Sequence, residues 1–226
     1  MLLLAIDTSG KNGSIALARA PDPFANNADV IETVLLTGGT FSAQLVPQIA
    51  ALLAAHQLTK QEIDAFAVGS GPGSFTGLRI GLAAVKALAE VLNKPIAAVS
   101  LLEVCVFASA AQGKVMAALD AGRGDIYAGE YLVPAPRGQA PREHMLTRSE
   151  FLPRAAGWTD VTPDAALAEV LRTGGLTATT VPPLSAADVA RLGWRKLQSG
   201  ATVSPEALEA NYIRRTDAEM LEKINS

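Results

Sequence analysis

The stretch Val68-Gly69-Ser70-Gly71-Pro72-Gly73-Ser74-Phe75-Thr76-Gly77-Leu78-Arg79-Ile80-Gly81 constrains this chain more than any other part of it. It follows a short apolar run, Ala65–Val68, that reads as a buried strand. It leads into Leu82–Leu92, which reads as a helix. A glycine-rich turn between strand and helix has two physical uses. It can present backbone N–H groups to an anion. It can also let two backbones pack unusually close, because no Cβ stands between them. The first use suits a nucleotide enzyme, the second a partner-binding protein. The motif is not a Walker A loop, since no Lys-Ser/Thr pair follows its last glycine, and Gly69, Gly71 and Gly73 match the dinucleotide-binding spacing poorly.

Composition narrows the class. The 226 residues are 49% hydrophobic and 18% charged, so a packed core is easily built and disorder is not expected. The net charge of −3 is not that of a protein that grips nucleic acid unaided, for which a basic surface is the rule. Contact with RNA is therefore expected through a partner. Cys105 is the only cysteine, which rules out an internal disulfide and fits a reducing cytoplasm. The start, Met1-Leu2-Leu3-Leu4-Ala5-Ile6-Asp7, lacks the basic n-region of a signal peptide. No apolar run approaches the ~20 residues of a membrane span. The expectation is a cytoplasmic protein without membrane contact.

Along the chain, Leu2–Asp7 is an apolar run ending in a carboxylate, and Asp7–Gly13 has turn chemistry. Ser14–Ala18 then completes a hairpin, and Val30–Leu36 suggests a third strand. Ser42 can cap a helix running to about His56, with Pro47 tolerated only near the first turn. Asn93-Lys94-Pro95 stops the helix after the glycine loop. Ile96–Val99 reads as a strand and Leu101–Ala110 as a helix. This order predicts a mixed sheet flanked by helices. Val115–Leu119 and Ile126–Val133 form a second strand pair around Asp120-Ala121-Gly122-Arg123-Gly124-Asp125. A Pro-rich loop, Pro134–Pro141, and smaller helices near Ser149–Ala155, Pro163–Arg172 and Ser185–Leu197 follow. A strand, an Asp-bearing turn and a second strand thus occur twice. The expectation is a duplicated α/β architecture with lobes at residues 1–110 and 111–226, the tail being free to return to the first lobe.

Two classes of chemistry compete. Asp7 sits where a strand ends, and a carboxylate there can orient a metal–nucleotide complex; equally, Asp7 and Thr8 can simply satisfy turn amides. Asp120 and Asp125 pose the same choice, and Arg123 either meets an anion or is solvated. An actin-like small-molecule kinase or ATPase using Asp7 and Asp120 is the alternative reading. His56 and His144 are the only histidines and lack the spacing of a ligand pair. Cys105 lies among Val104, Val106 and Phe107, which suits an inert core thiol. Ser70 and Ser74 have no evident base. No catalytic, cofactor or metal residue is assigned.

The helices carry more information. In Gly77–Leu92 the polar residues Arg79, Lys86 and Glu90 share one stripe, and most of the remaining circumference is apolar or small. Gly77, Gly81 and Ala84 lie along one side and permit close helix approach. A helix on one sheet needs an apolar stripe only about 100° wide. The helix at Gln44–Ala55, with Leu45, Val46, Ile49, Leu52, Leu53 and several alanines, is broadly apolar too. Either both helices are sandwiched inside the chain, or they form a docking face. The docking reading assigns Leu45, Ile49, Leu52, Leu53, Gly77, Leu78, Arg79, Gly81, Leu82, Ala84, Val85 and Leu88 to a partner interface.

Four segments resemble the bacterial TsaB (YeaZ-type) family of tRNA threonylcarbamoyladenosine biosynthesis, within the glycoprotease-like superfamily. They are Leu4–Ser9, Gly71–Gly81, Leu119–Gly129 and Asn211-Tyr212-Ile213-Arg214-Arg215. The resemblance implies an actin-like (ASKHA, ribonuclease H-like) fold in two lobes with mixed sheets. It implies a non-catalytic subunit that acts with a TsaD-type transferase, which modifies adenosine 37 of tRNAs reading codons that begin with A, and with a TsaE-type ATPase. Homodimers, tRNA contact only through the complex, and ATP or ADP only through the assembled complex belong to the same implication. TsaD-type relatives hold metal through a histidine pair on the first large helix. Here that stretch reads Thr40-Phe41-Ser42-Ala43-Gln44-Leu45-Val46-Pro47, and Phe41 stands where many TsaB relatives have a histidine.

Overall fold

The computed structural model describes residues 1–22, 25–36, 41–136 and 138–213. Arg214, Arg215 and Thr40, quoted above, lie outside the described residues. The chain forms two units, the first made of Met1–Val104 with Leu184–Asn211, the second centred on Cys105–Pro183.

In the first unit, β1 (Leu2–Asp7) and β2 (Gly13–Arg19) pair antiparallel from Leu2↔Arg19 to Asp7↔Ser14. β3 (Asp29–Leu36) extends the meander on the far side of β2. On the other side of β1, β4 (Ala65–Gly71) and β5 (Ile96–Ser100) run parallel, giving the order β3-β2-β1-β4-β5. β1 and β4 are buried along their whole length. Burial on both faces is why they read as unbroken apolar runs and not as alternating ones.

Two helices cover one face of this sheet. α1 (Phe41–Ala55) and α2 (Phe75–Leu92) bury Leu45, Ile49, Leu52, Leu53, Leu78, Leu82 and Val85 against Leu2, Leu4, Ile6, Phe66 and Val68. Pro47 is the seventh residue of α1, later than the first-turn position expected from sequence. It is tolerated because Pro47 and Ala43, four residues earlier, are both exposed. The carbonyl that loses its N–H partner therefore faces solvent. At the start of α2 the Ser74 hydroxyl accepts the Gly77 N–H, and Asn93 closes the helix in the left-handed conformation at φ 52°. α3 (Leu101–Ser109) follows β5 directly.

The second unit repeats the plan. β6 (Gly113–Gly122) and β7 (Asp125–Val133) pair antiparallel. Arg123 and Gly124 between them both have positive φ, 56° and 85°, the twist that a two-residue hairpin loop requires. β8 (Arg142–Thr147) adds to β7 antiparallel. β9 (Thr159–Thr162) and β10 (Ala178–Thr180) run parallel on the other side of β6, in the order β10-β9-β6-β7-β8. α4 (Arg148–Ala155) and α5 (Ala165–Thr173) close its core with Phe151, Ala155, Leu167, Ala168 and Leu171. Each sheet thus has three antiparallel strands followed by two parallel ones. The duplication expected from the two strand–Asp–turn–strand segments is present, in the α/β, actin-like (ASKHA, ribonuclease H-like) arrangement.

The chain then returns to the first unit. α6 (Ala186–Gln198) covers the sheet face opposite α1 and α2. Strand alternation separates the two faces: Phe66 and Val68 point to α1 and α2, while Ala67 meets α6. The approach is close enough that a Cβ on Gly193 would lie 2.5 Å from the Ala67 methyl. Trp194 donates its indole N–H to the Ala25 carbonyl at 2.8 Å, and Lys196 pairs with Glu103 at 2.7 Å.

One buried polar group breaks the pattern. Asp160 in β9 lies beside Met116 and Ala178, on the face that carries the second unit's core. It is fully buried, neither carboxylate oxygen has a hydrogen-bond partner among the described residues, and burial pushes its pKa up to about 7. The folded state therefore holds this proton more tightly than the unfolded chain does. Its effect on stability falls as pH rises from about 4 to about 7 and is level above that. At about 1.4 kcal/mol per unit, the loss is a few kcal/mol. Asp160→Asn is expected to melt higher than the wild-type chain at pH 8, with the difference shrinking steadily as pH falls from about 7 toward 4. Thermal unfolding across that range checks this, and identical pH dependence of the two proteins would contradict it.

Candidate functional site

The glycine loop and the β1–β2 turn fold against each other. Thr8 donates its hydroxyl to the Gly77 carbonyl at 2.7 Å, and the Ser74 N–H donates to the Ser9 carbonyl at 2.7 Å. A Cβ on Gly77 would overlap the Thr8 carbonyl oxygen, one on Gly81 the Thr8 hydroxyl, and one on Gly73 would sit 2.6 Å from the Ser9 carbonyl oxygen. The three glycines therefore let the start of α2 lie directly on the backbone of Thr8 and Ser9. Of the two uses open to the motif, this is close packing. Gly77 and Gly81, expected from sequence to admit a partner helix, turn their bare faces to the strand beneath. The loop is further held by the Asn211 N–H, which donates to the Ser70 carbonyl at 2.7 Å, and by the Ser70 hydroxyl, which donates to the Val99 carbonyl at 3.1 Å.

Asp7 is part of the same construction. It is buried, and its carboxylate accepts the Ser9 N–H at 3.0 Å. Burial raises its pKa above the ordinary carboxylate value; the Ser9 hydrogen bonds oppose this, and the Asp188 carboxylate adds to it. Of the two readings of this strand-end carboxylate, satisfaction of turn amides is the one with a visible bond. Asp120 holds the corresponding place at the end of β6 and accepts the Gly122 N–H at 2.9 Å, but it is exposed.

Most residues assigned to a docking face lie inside the first unit. Leu45, Ile49, Leu52, Leu53, Gly77, Leu78, Gly81, Leu82 and Val85 are buried, Ala84 and Leu88 are half-buried, and Arg79 is exposed with its guanidinium 3.7 Å from the Phe75 ring centre. What faces outward is a smaller apolar set. On α1 it is Ala43, Val46, Pro47, Ala50 and Ala54; on α2 it is Ala83, Ala87 and Val91, flanked by half-buried Ile80 and Ala84. Val46 is 62% exposed, Val91 75% and Phe75 45%. The signal for this set was the helical recurrence of alanine and valine. The larger leucines and isoleucines, which the sheet claims, obscured it.

The remaining candidates are dispersed. His56 pairs with Glu32 at 2.7 Å in the first unit. His144 lies 3.0 Å from Arg154 and 4.0 Å from Glu130 in the second. Cys105 is buried, with its pKa pushed up to about 12 by burial, so it is a poor nucleophile. Phe41 is buried against Gly13, filling core space with a ring. Among the described residues no helix is long and apolar enough to cross a membrane.

Residues 36–152 match the family described as "TsaD: tRNA N6-adenosine threonylcarbamoyltransferase". The chain belongs to this family. Within it the likeness runs to the TsaB (YeaZ-type) members. The tRNA threonylcarbamoyladenosine biosynthesis protein TsaB of Bacillus subtilis is 35% identical over 58% of this chain, which spans about half of that relative's length (55%). The TsaB protein of Escherichia coli is 29% identical over 96% of both chains. The solved structure of YeaZ from Pseudomonas aeruginosa is 27% identical, covers 94% of this chain and 99% of its own, and superposes with a TM-score of 0.70.

The packing geometry separates the glycines of the TsaB-like loop by what each one touches. Alanine in place of glycine within a helix is intrinsically favourable by about 1 kcal/mol, so any net loss comes from the clash. Gly77→Ala meets a backbone carbonyl and should cost about 3 kcal/mol or more; Gly81→Ala meets a side-chain hydroxyl and should cost roughly 1–2 kcal/mol. Thr8→Ala should suppress the Gly81→Ala defect and leave the Gly77→Ala defect in place. Urea unfolding of the singles and doubles measures this cycle. Equal rescue of both glycine variants would show that the Thr8 carbonyl is not the obstacle.

Proposed function

We propose that this chain is a non-catalytic subunit of a tRNA threonylcarbamoyladenosine assembly. It acts in the cytoplasm beside a TsaD-type transferase, which carries the threonylcarbamoyl group to N6 of adenosine 37 in tRNAs reading codons that begin with A. A TsaE-type ATPase completes the set. ATP or ADP is engaged only by the assembled complex, and tRNA is reached only through it. Likeness to TsaB proteins along nearly the full chain supports the pathway.

The observation that carries the subunit role is the outward face of α1 and α2. Two neighbouring helices spend their leucines on the sheet and still present small apolar side chains to solvent. Alanine and valine at these positions let a partner helix approach closely, so the face suits helical packing against the transferase or against a second copy of this chain. The inward residues Leu45, Ile49, Leu52, Leu53, Leu78, Leu82 and Val85 hold both helices in register from beneath. Ala84 and Leu88 border the contact, and Arg79, braced on Phe75, sits at its edge, where a charge orients a partner at modest energy.

Ala50→Glu and Ala87→Glu place a charge on exposed positions of this face. Each should leave thermal unfolding nearly unchanged and weaken capture of the TsaD-like partner at least tenfold. Arg79→Ala should act in the same direction more weakly. The readouts are the partner dissociation constant at fixed salt and threonylcarbamoyladenosine in tRNA digests by mass spectrometry. Full modification by the partner without this chain would refute the subunit role. Transfer by this chain alone would refute its non-catalytic character.

A further inference from the structure

The face of the second sheet that carries α4 and α5 continues past the core into a cavity of about 300 Å³. One wall is the half-buried indole of Trp158, and the Pro-rich connection between β7 and β8 contributes Pro136 and Pro141. Lys114 and Arg142 stand at its edge, on the first residues of the sheet face that also bears Glu130.

The charges around this cavity are unequal. Glu130 is engaged by the Arg154 guanidinium, with the His144 ring 4.0 Å away, so its negative charge is already countered. Lys114 and Arg142 have no carboxylate partner among the described residues. Lys114 has instead the face of Trp158, at 5.9 Å from the ring centre. That is the outer limit of a cation–π contact, worth about 0.5–1 kcal/mol at an exposed site. A carboxylate or phosphate offers an ammonium more than this, as a charge-assisted hydrogen bond. The neutral part of the lining is mostly apolar: the flat Trp158 indole, Pro136, Pro141, Leu132 and two alanines, with Tyr131 and the polar Gln139 beside them. Ligand cavities run from about 300 to 1,000 Å³, so this one is sized for a single ring system and not for a dinucleotide or a folded peptide.

The geometry points to a binding site for a small organic anion with a flat apolar body, an aryl or heteroaryl carboxylate or phosphate monoester. The body lies against Trp158 and the prolines, and the anionic group meets Lys114 and Arg142. The site lies wholly within the second unit and does not depend on the role proposed for the helical face of the first.

Calorimetric titration of the full chain with 1-naphthoate, 1-naphthamide and acetate tests it. Naphthoate should bind saturably with one equivalent, at least tenfold more tightly than the amide, and acetate should show no saturable binding. Lys114→Gln and Arg142→Gln, both at exposed positions, should keep the wild-type melting temperature and each weaken naphthoate at least fivefold. The double variant should bind naphthoate no better than the amide. In parallel, naphthoate should change tryptophan fluorescence in the wild-type chain and not in Trp158→Phe, which keeps the buried Trp194. Absence of saturable naphthoate binding, equal affinity for the amide, equal affinity for acetate, or indifference to both cation substitutions would each overturn the assignment. All of these outcomes leave capture of the TsaD-like partner unaffected.

Discussion

The first unit depends on the contact between the backbone of Thr8–Ser9 and the start of α2. Three glycines lie against that short segment, and two hydrogen bonds of 2.7 Å fasten it. A helix normally stands off a sheet by the length of the side chains packed between them. Here the first turns of α2 come down to the strand itself, and the bulk of their packing moves to the neighbouring positions Leu78, Leu82 and Val85. Ala83, Ala87 and Val91 fall on the side of the helix away from the whole buried set of Gly77, Leu78, Gly81, Leu82, Val85 and Ala89, and are exposed.

The fold was readable where the chain follows one physical rule at a time. Buried strands β1 and β4 show as continuous apolar runs, and Asn93 with Pro95 marks the end of α2. The repeat of strand, Asp-bearing turn and strand pointed to the duplication because each hairpin is local in sequence. The helical face was readable only in part. An amphipathic count ranks Leu45, Ile49 and Leu52 above Ala43, Ala50 and Ala54. It cannot tell that a sheet will take the first group and leave the second in solvent. Pro47 misled for a related reason, since its cost depends on whether the orphaned carbonyl is wet, and wetness is a tertiary property.

The two halves of the duplication have drifted apart in chemistry while keeping their topology. Asp7 is buried in a turn that carries the helix above it, whereas Asp120, at the same point of the second sheet, bonds one amide and is exposed. The glycine loop after β4 has no counterpart after β9, where Pro163 and Asp164 lead into α5 through an ordinary side-chain cap. Both sheets carry helices, but only in the first do glycines seat a helix directly on the turn that follows the first strand. The second keeps a smaller core and tolerates the unpaired Asp160 within it.

α6 reaches the first sheet from far along the chain, and this bears on synthesis. Ala5, Ala67 and Ala97 form a face that stays bare until residues near 184–198 have left the ribosome. At about 5–20 residues per second, the interval between Val104 and the end of α6 at Gln198 is about 5–19 s. A nascent chain in that interval has one side of its sheet covered by α1 and α2 and the other open. At its centre the open side carries three alanines in adjacent strands, which keep that part of the patch weakly sticky as well as flat enough to receive Gly193. The composition that allows the final close approach therefore also limits the aggregation hazard of the wait.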